Sequence, residues 1–447
     1  MANATHTRST SSIAKVATAS FIGTLIEYFD FFLFGTAAAL IFNKVFFPNL
    51  DPLIGTLAAF GTFGAAFLAR PLGGFIFGHY GDRLGRKTML VLSLLLMGFA
   101  TLSVGLMPTY AQVGVLAPVL LVISRLIQGV AIGGEWSGAV LMAVEHAPPS
   151  KRAFYGSWPQ CGVPAGLVLA TGCFYLVQLL PQDDMMSWGW RVPFIASALL
   201  VILGMYIRLK IAESPEFEAV KERKEEVRLP VAYVMRSAWR SVLVSMMSMA
   251  APNIIFYVAT VFALKYGSET LGMPRSTILG AVCLASFIQV FTMPMVAIAA
   301  DRYGTRAVLM FGSLMTMLGA YPFFWLIDTA QTLNVYLAMI LALPLLHATT
   351  FGPLASFIPD QFEARVRYTG SAVGYHIGGM THSGPVPFVA AAMFAWAGDS
   401  WPLALYIGFG GLVTLVALAC MRSSNQPVAT QEAAPSKSNL RSSTVRG

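Results

Sequence analysis

The chain has 447 residues, of which 56% are hydrophobic and only 11% charged, and its mean hydropathy is +0.67. Soluble domains carry about 25% charged and about 45–50% apolar residues, so a soluble enzyme, a nucleic-acid-binding protein and a disordered scaffold are all disfavoured. The net charge of +8 implies an acidic partner only if the basic residues cluster for that purpose, and their placement decides the matter.

Apolar stretches of about 20 residues or more recur down the chain, each long enough to cross about 30 Å of hydrocarbon as a helix. Twelve spans are read, at 17–42, 54–79, 88–107, 114–144, 154–180, 188–208, 239–264, 276–300, 306–327, 333–358, 368–396 and 401–421. Uninterrupted apolar runs predict helices, because barrel strands alternate polar and apolar residues. With the N-terminus placed in the cytoplasm, 23 of the 29 Lys and Arg fall on the cytoplasmic side. Eight of these occupy the central connection, from Arg208 and Lys210 to Arg236 and Arg240. Lys44, Arg191, Lys265 and Arg275 fall outside, while Arg70 and Arg125 lie within spans. This is the positive-inside asymmetry of a cytoplasmic-membrane protein with both termini inside. It explains the basic excess without nucleic acid. Ala37-Ala38-Ala39 imitates a signal-peptide cleavage site, but the preceding apolar run is too long and contains Glu27 and Asp30. Cys161, Cys173, Cys283 and Cys420 sit in apolar spans without metal or disulfide spacing, so neither a metal nor a cofactor is expected.

The hydrophobicity breaks at 211–230, where Ser214-Pro215 signals the start of a short, charged surface helix. The expected organisation is a cytoplasmic segment 1–16, a six-helix half 17–210, a cytoplasmic loop 211–238, a second six-helix half 239–421 and a disordered cytoplasmic tail 422–447. The halves repeat. Gly78-His79-Tyr80-Gly81-Asp82-Arg83-Leu84-Gly85-Arg86-Lys87 follows span 2, and Ala297-Ile298-Ala299-Ala300-Asp301-Arg302-Tyr303-Gly304-Thr305-Arg306 follows span 8. Phe154-Tyr155-Gly156-Ser157 opens span 5, and Tyr368-Thr369-Gly370-Ser371 opens span 11. Two repeats in the same half-order predict duplication and a pseudo-twofold axis along the membrane normal.

At these residues the chain resembles the major facilitator superfamily. Gly78 to Lys87 matches its G-x-x-x-D-R-x-G-R-K loop, the second copy is degraded at Ala297 and Thr305, and Ser124-Arg125-Leu126-Ile127-Gln128-Gly129 is similar to its R-x-x-Q-G motif. A narrower likeness is to the metabolite–proton symporter family. It is carried by Glu27-Tyr28-Phe29-Asp30-Phe31, Gly133-Gly134-Glu135-Trp136, Trp188-Gly189-Trp190-Arg191, Glu213-Ser214-Pro215-Glu216-Phe217 and Arg367-Tyr368-Thr369-Gly370. The resemblance implies a twelve-helix, two-half carrier of organic acids, shikimate-like compounds or betaine-like zwitterions, usually with protons.

A charge at the bilayer centre costs about 2.5–3.5 kcal/mol on insertion scales, so each intramembrane charge needs a partner, a wet cavity or a task. Glu27 and Asp30 share one face of span 1, and neighbouring carboxylates favour holding a proton. They are the expected proton-coupling groups, with Glu135 as a second station or, alternatively, a fixed tie between spans. Arg125 is expected as the substrate-binding cation, with Gln128 on its side of span 4. Gln160, Asn253, Tyr257 and His376 complete the expected substrate contacts, while Gln289, His347 and His382 are further polar groups in the second half.

The loop motifs predict a cytoplasmic gate. Gly78 permits close approach, and Asp82 is placed to cap a helix N-terminus; by resemblance that helix is span 11. Arg83 and Arg86 are expected to pair with Glu145. Arg302 and Arg306 are expected to pair with Asp360 and Glu363, with Asp301 in the role of Asp82. The resulting expectation is a monomeric secondary transporter that moves a small organic acid with protons by alternating access. The rivals are a betaine- or proline-like zwitterion carrier, in which Trp136, Trp158 and Tyr257 cage the cation, and proton-driven efflux. A membrane-embedded enzyme lacks clustered catalytic groups, and a sensor lacks an output domain.

Overall fold

The computed structural model describes residues 10–50, 52–223 and 227–421; the expected tail at 422–447 lies outside them. Every regular element among the described residues is helical, and ten helices are long and apolar enough to cross a membrane. The first six spans are Thr10–Ala37, Pro52–Leu84, Arg86–Leu106, Leu116–His146, Arg152–Val177 and Arg191–Leu209. Between the halves, Ser214 Oγ accepts from Phe217 N–H and starts a helix at Pro215–Glu222, and a second short helix covers Pro230–Ser237.

The second half is less regular than its hydropathy suggests. Spans 8, 9 and 12 are single helices, at Arg275–Tyr303, Thr305–Asp328 and Trp401–Ala419. Span 7 runs as Trp239–Ser248 and Ala250–Tyr257 before a π-helical turn at Val258–Phe262. Span 10 changes from Thr332–Ile340 to a π-helical stretch, Leu341–His347, around Pro344. Span 11, expected as one helix, divides into Arg367–His382 and Val386–Ala397 at Ser383-Gly384-Pro385. Proline removes a backbone donor and crowds the preceding turn, and π-helical turns arise where one extra residue is accommodated.

Span 2 packs along span 11, and span 5 along span 8. These two seams join the halves and are equivalent under the internal repeat. Within the first half, spans 2 and 4 approach closely because a β-carbon on Gly133 would meet the backbone of Arg70, Gly73 and Gly74. Close helix contact through small residues is the usual membrane packing device. Gly133→Ala is therefore expected to cost about 1–3 kcal/mol by overpacking, seen as a lower melting temperature of the detergent-solubilised protein. Gly172, with nothing near its missing β-carbon, accepts alanine without that loss.

Candidate functional site

One end of the bundle carries most of the loop charge and is closed by contacts between the halves. Asp82 accepts from the backbone N–H groups of Tyr368 (3.2 Å) and Thr369 (2.9 Å), at the start of span 11. Asp301 accepts from those of Ala153 (2.8 Å) and Phe154 (2.9 Å), at the start of span 5. Each carboxylate thus satisfies the donors that a helix N-terminus leaves open. The glycines that end the two motifs, Gly85 and Gly304, both adopt positive φ (109° and 92°) to turn into the next span. At Gly78 a β-carbon would lie 2.8 Å from Thr369 Cα, so the seam closes only around glycine.

The ion pairs also repeat. Arg152 of the first half reaches Asp360 of the second at 3.0 Å, and Arg367 of the second reaches Glu145 of the first at 3.6 Å. Arg86 lies 3.5 Å from Glu145 and 3.7 Å from Asp82. The expected pairing of Arg302 and Arg306 with Asp360 and Glu363 is not formed. Arg302 lies over Tyr303, Arg306 points to the Ala419 carbonyl, and Glu363 takes Arg365 at 2.7 Å. Arg83 is exposed, and Arg86 alone meets Glu145. The reason is geometric: with the halves shut, Asp360 meets Arg152 of the opposite half, and Glu363 meets Arg365 of its own connection. The linker joins this network, because Glu213 accepts from the N–H groups of Arg86 and Lys87, Ser214 Oγ bonds to Glu145, and Glu216 pairs with both Arg152 and Arg367.

Above this closure lies a central cavity of about 30 Å³, room for a water or two. Arg70 from span 2 and Tyr28 from span 1 face Asn253 and Tyr257 of span 7, His347 of span 10 and His376 of span 11 across it. Three of the expected substrate contacts, Asn253, Tyr257 and His376, therefore share one wall system. Asn253 Nδ2 and His376 Nε2 are buried without hydrogen-bond partners.

The cation that lines this cavity is Arg70 rather than Arg125, the expected one. The Arg70 guanidinium carbon sits 4.7 Å from the Phe31 ring centre and 4.2 Å from that of Phe67. Its Nε and Nη2 have no hydrogen-bond partner, and among the described residues no carboxylate forms an ion pair with it. Arg125 does not line the cavity. It bonds to Gln128, whose Nε2 donates to Thr101 Oγ1 (2.6 Å), which donates to Asp30 (2.8 Å), and its guanidinium carbon stacks 3.4 Å from the Phe34 ring centre. Depth explains the difference. Arg70 is twelve residues from Asp82, about 18 Å along a helix, whereas Arg125 is twenty from Glu145, about 30 Å and so on the far side of Phe31 from the gate. Counting from the gate residues rather than from span ends is the signal that finds Arg70.

Gln128 and Gln160 also stand outside the cavity lining. Gln160 accepts from Trp136 Nε1 (2.7 Å) and donates to the Phe351 carbonyl (2.9 Å), tying spans 4, 5 and 10 together. Trp136 itself stacks on Tyr375 at 3.7 Å, so it floors the site rather than caging a ligand. Of the acids, Glu27 Oε2 and Asp30 Oδ1 are buried without hydrogen-bond partners. Glu135 is instead held by Arg208, both side chains being almost wholly buried, and by Ser93 Oγ at 2.8 Å. Arg208, counted with the loop charges, is an intramembrane partner: its long stem carries the charge back down span 6.

A two-half helical bundle with a cavity lined from both halves and paired closures at one end defines a membrane transporter rather than an enzyme. The chain belongs to the Major Facilitator Superfamily, whose family model matches residues 20–385. It is 40% identical to an inner membrane metabolite transport protein of Escherichia coli (strain K12), with 90% of this chain and 93% of that protein covered. It is 38% identical to the shikimate transporter of Escherichia coli (strain K12), covering 94% and 97%. A proline/betaine transporter of Salmonella typhimurium is 30% identical, covering 96% and 87%. In fold it is similar to a proton:xylose symporter bound to 6-bromo-6-deoxy-D-glucose, with a TM-score of 0.72, 16% identity and coverage of 92% and 95%.

Two expectations follow from the geometry. Removing one member of a buried ion pair costs about 3–5 kcal/mol, while replacing both is tolerated far better. Glu135→Gln is thus expected to lower the melting temperature sharply, and adding Arg208→Met to restore much of it. At the gate, Asp82→Ala or Asp301→Ala should open the basic end. With the native cysteines removed and one introduced at buried Ser371, maleimide labelling is expected to accelerate in either variant.

Proposed function

We propose that the protein is a proton-coupled symporter of a small organic acid, working by alternating access across the cytoplasmic membrane with its basic end in the cytoplasm. The observation that carries this reading is the Arg70 guanidinium. Nε–H and one Nη2–H lie on a single edge, the arrangement that receives a carboxylate side-on with two parallel hydrogen bonds. Both are unpartnered at the cavity between the halves. The aromatic rings hold the charge without competing for those donors.

The charges acting on Glu27 are those of Glu135, Arg70 and Arg208. Glu27 and Asp30 each retain one buried oxygen without a hydrogen-bond partner, which suits groups that load and release a proton. In the proposed cycle a proton neutralises one of these acids, the substrate carboxylate settles on Arg70, and the compensated carrier rocks to the other face. The cavity holds only water-sized space in this closed form, so loading requires the halves to part on the side opposite the gate.

A zwitterion such as betaine is the second reading. Tyr28, Phe256, Tyr257, Phe351 and Tyr375 line the cavity, and such rings suit a quaternary nitrogen. Uptake of shikimate and betaine into proteoliposomes, each competed by the other, separates the two.

Arg70→Lys is expected to weaken acid binding by about 10- to 100-fold, the loss of a charged, two-point hydrogen bond; unchanged affinity would remove Arg70 from the site. Asp30→Asn should abolish accumulation driven by a pH gradient and spare counterflow exchange. An Asn variant that still concentrates substrate would place coupling elsewhere.

A further inference from the structure

His347 lies on the second-half wall of the cavity, 2% exposed, while Arg70 is contributed by the first half. Its ring is fixed on three sides. Phe351 stacks against it with centres 4.8 Å apart, Phe256 lies 4.9 Å away, and Gln289 of span 8 bonds to Nδ1. With the Gln289 amide nitrogen assigned as the donor, Nδ1 accepts and the ring proton is placed on Nε2. Gln289 Oε1 has no partner of its own, so the amide serves this one contact. The result is a neutral, pre-oriented N–H donor for the cavity that the ring lines.

We propose that His347, with its tautomer and direction set by Gln289, reads a neutral oxygen on the substrate, a hydroxyl or a carbonyl, at the end remote from the carboxylate. The inference rests on the reading of Arg70 as the carboxylate site. It narrows the substrate class to monocarboxylates that carry such an oxygen. A plain aromatic acid gives His347 nothing to bind, a second carboxylate meets a neutral group instead of a cation, and betaine offers no oxygen beyond its carboxylate. A substrate held by Arg70 on one half and His347 on the other bridges the moving parts. Gln289 is then a positioning residue that never touches the ligand.

Hydrogen-bonding sites discriminate strongly because the buried donor goes unpaired with the wrong ligand. The test uses the full chain in proteoliposomes, with shikimate and benzoate as paired probes: both offer a ring and one carboxylate, and only shikimate carries hydroxyls. The wild type is expected to prefer shikimate by at least about 10-fold in apparent affinity. His347→Phe preserves the stacking and should erase most of that preference by weakening shikimate alone. Gln289→Glu is close to isosteric and its carboxylate accepts from Nδ1–H, so it should shrink the ratio by weakening shikimate while the affinity for benzoate stays near the wild-type value. If Arg70→Lys weakens both acids but neither His347→Phe nor Gln289→Glu alters their ratio, the inference is overturned and the carboxylate site stands. If neither acid is transported and betaine is, the organic-acid reading and this one fall together.

Discussion

A guanidinium lies midway through the bundle, against the rings of Phe31 and Phe67 rather than against an acid. Cation–π contact with desolvated rings is worth about 2 kcal/mol, enough to offset much of the insertion cost of one charge. It leaves the hydrogen-bonding edge of Arg70 unoccupied. The contrast lies within the same half. Arg208 and Glu135 satisfy one another, with Ser93 and the Leu90 carbonyl completing the set. That pair ties spans 3, 4 and 6 together. One buried arginine is spent on cohesion; the other leaves Nε and Nη2 without a hydrogen-bond partner, as the proposed anion site requires.

Phe31 connects the two ionic levels of the first half. Its ring is 4.7 Å from Arg70 and 5.9 Å from Arg125, and it follows Asp30 on span 1, one turn beyond Glu27. The Arg125–Gln128–Thr101–Asp30 chain occupies the level farther from the gate. A change of charge on Asp30 therefore reaches Arg70 through one aromatic ring and one turn of helix. That gives a short physical route between the proposed proton and substrate sites.

The closed end is built twice from the same parts. An aspartate caps the opposite half's helix, and an arginine crosses to an acid, so that Asp82 and Arg367 answer Asp301 and Arg152. The linker breaks this symmetry, because Glu213 and Ser214 bond only to the Asp82 side of the gate, while Glu216 bridges Arg367 and Arg152. The two ends of the transporter are thereby unequal, although the halves that form them are copies.

Chain order, span positions, the basic bias of one end and the recurrence of Asp82 and Asp301 were all legible in the residues, since hydrocarbon thickness and helix rise leave little freedom in a chain of this composition. The breaks in spans 10 and 11 were visible as Pro344 and Gly384-Pro385 but not as interruptions at a cavity. What only the tertiary structure decided was which buried charges are partnered. Arg208 looked like a loop charge and proved to hold Glu135; Arg125 looked central and does not line the cavity; Arg70 looked incidental and does. Helical periodicity specifies a residue's depth and face, whereas its partner depends on which distant helix arrives at that depth. That arrival is set by close contacts such as Gly133 against Gly73, which no local pattern announces.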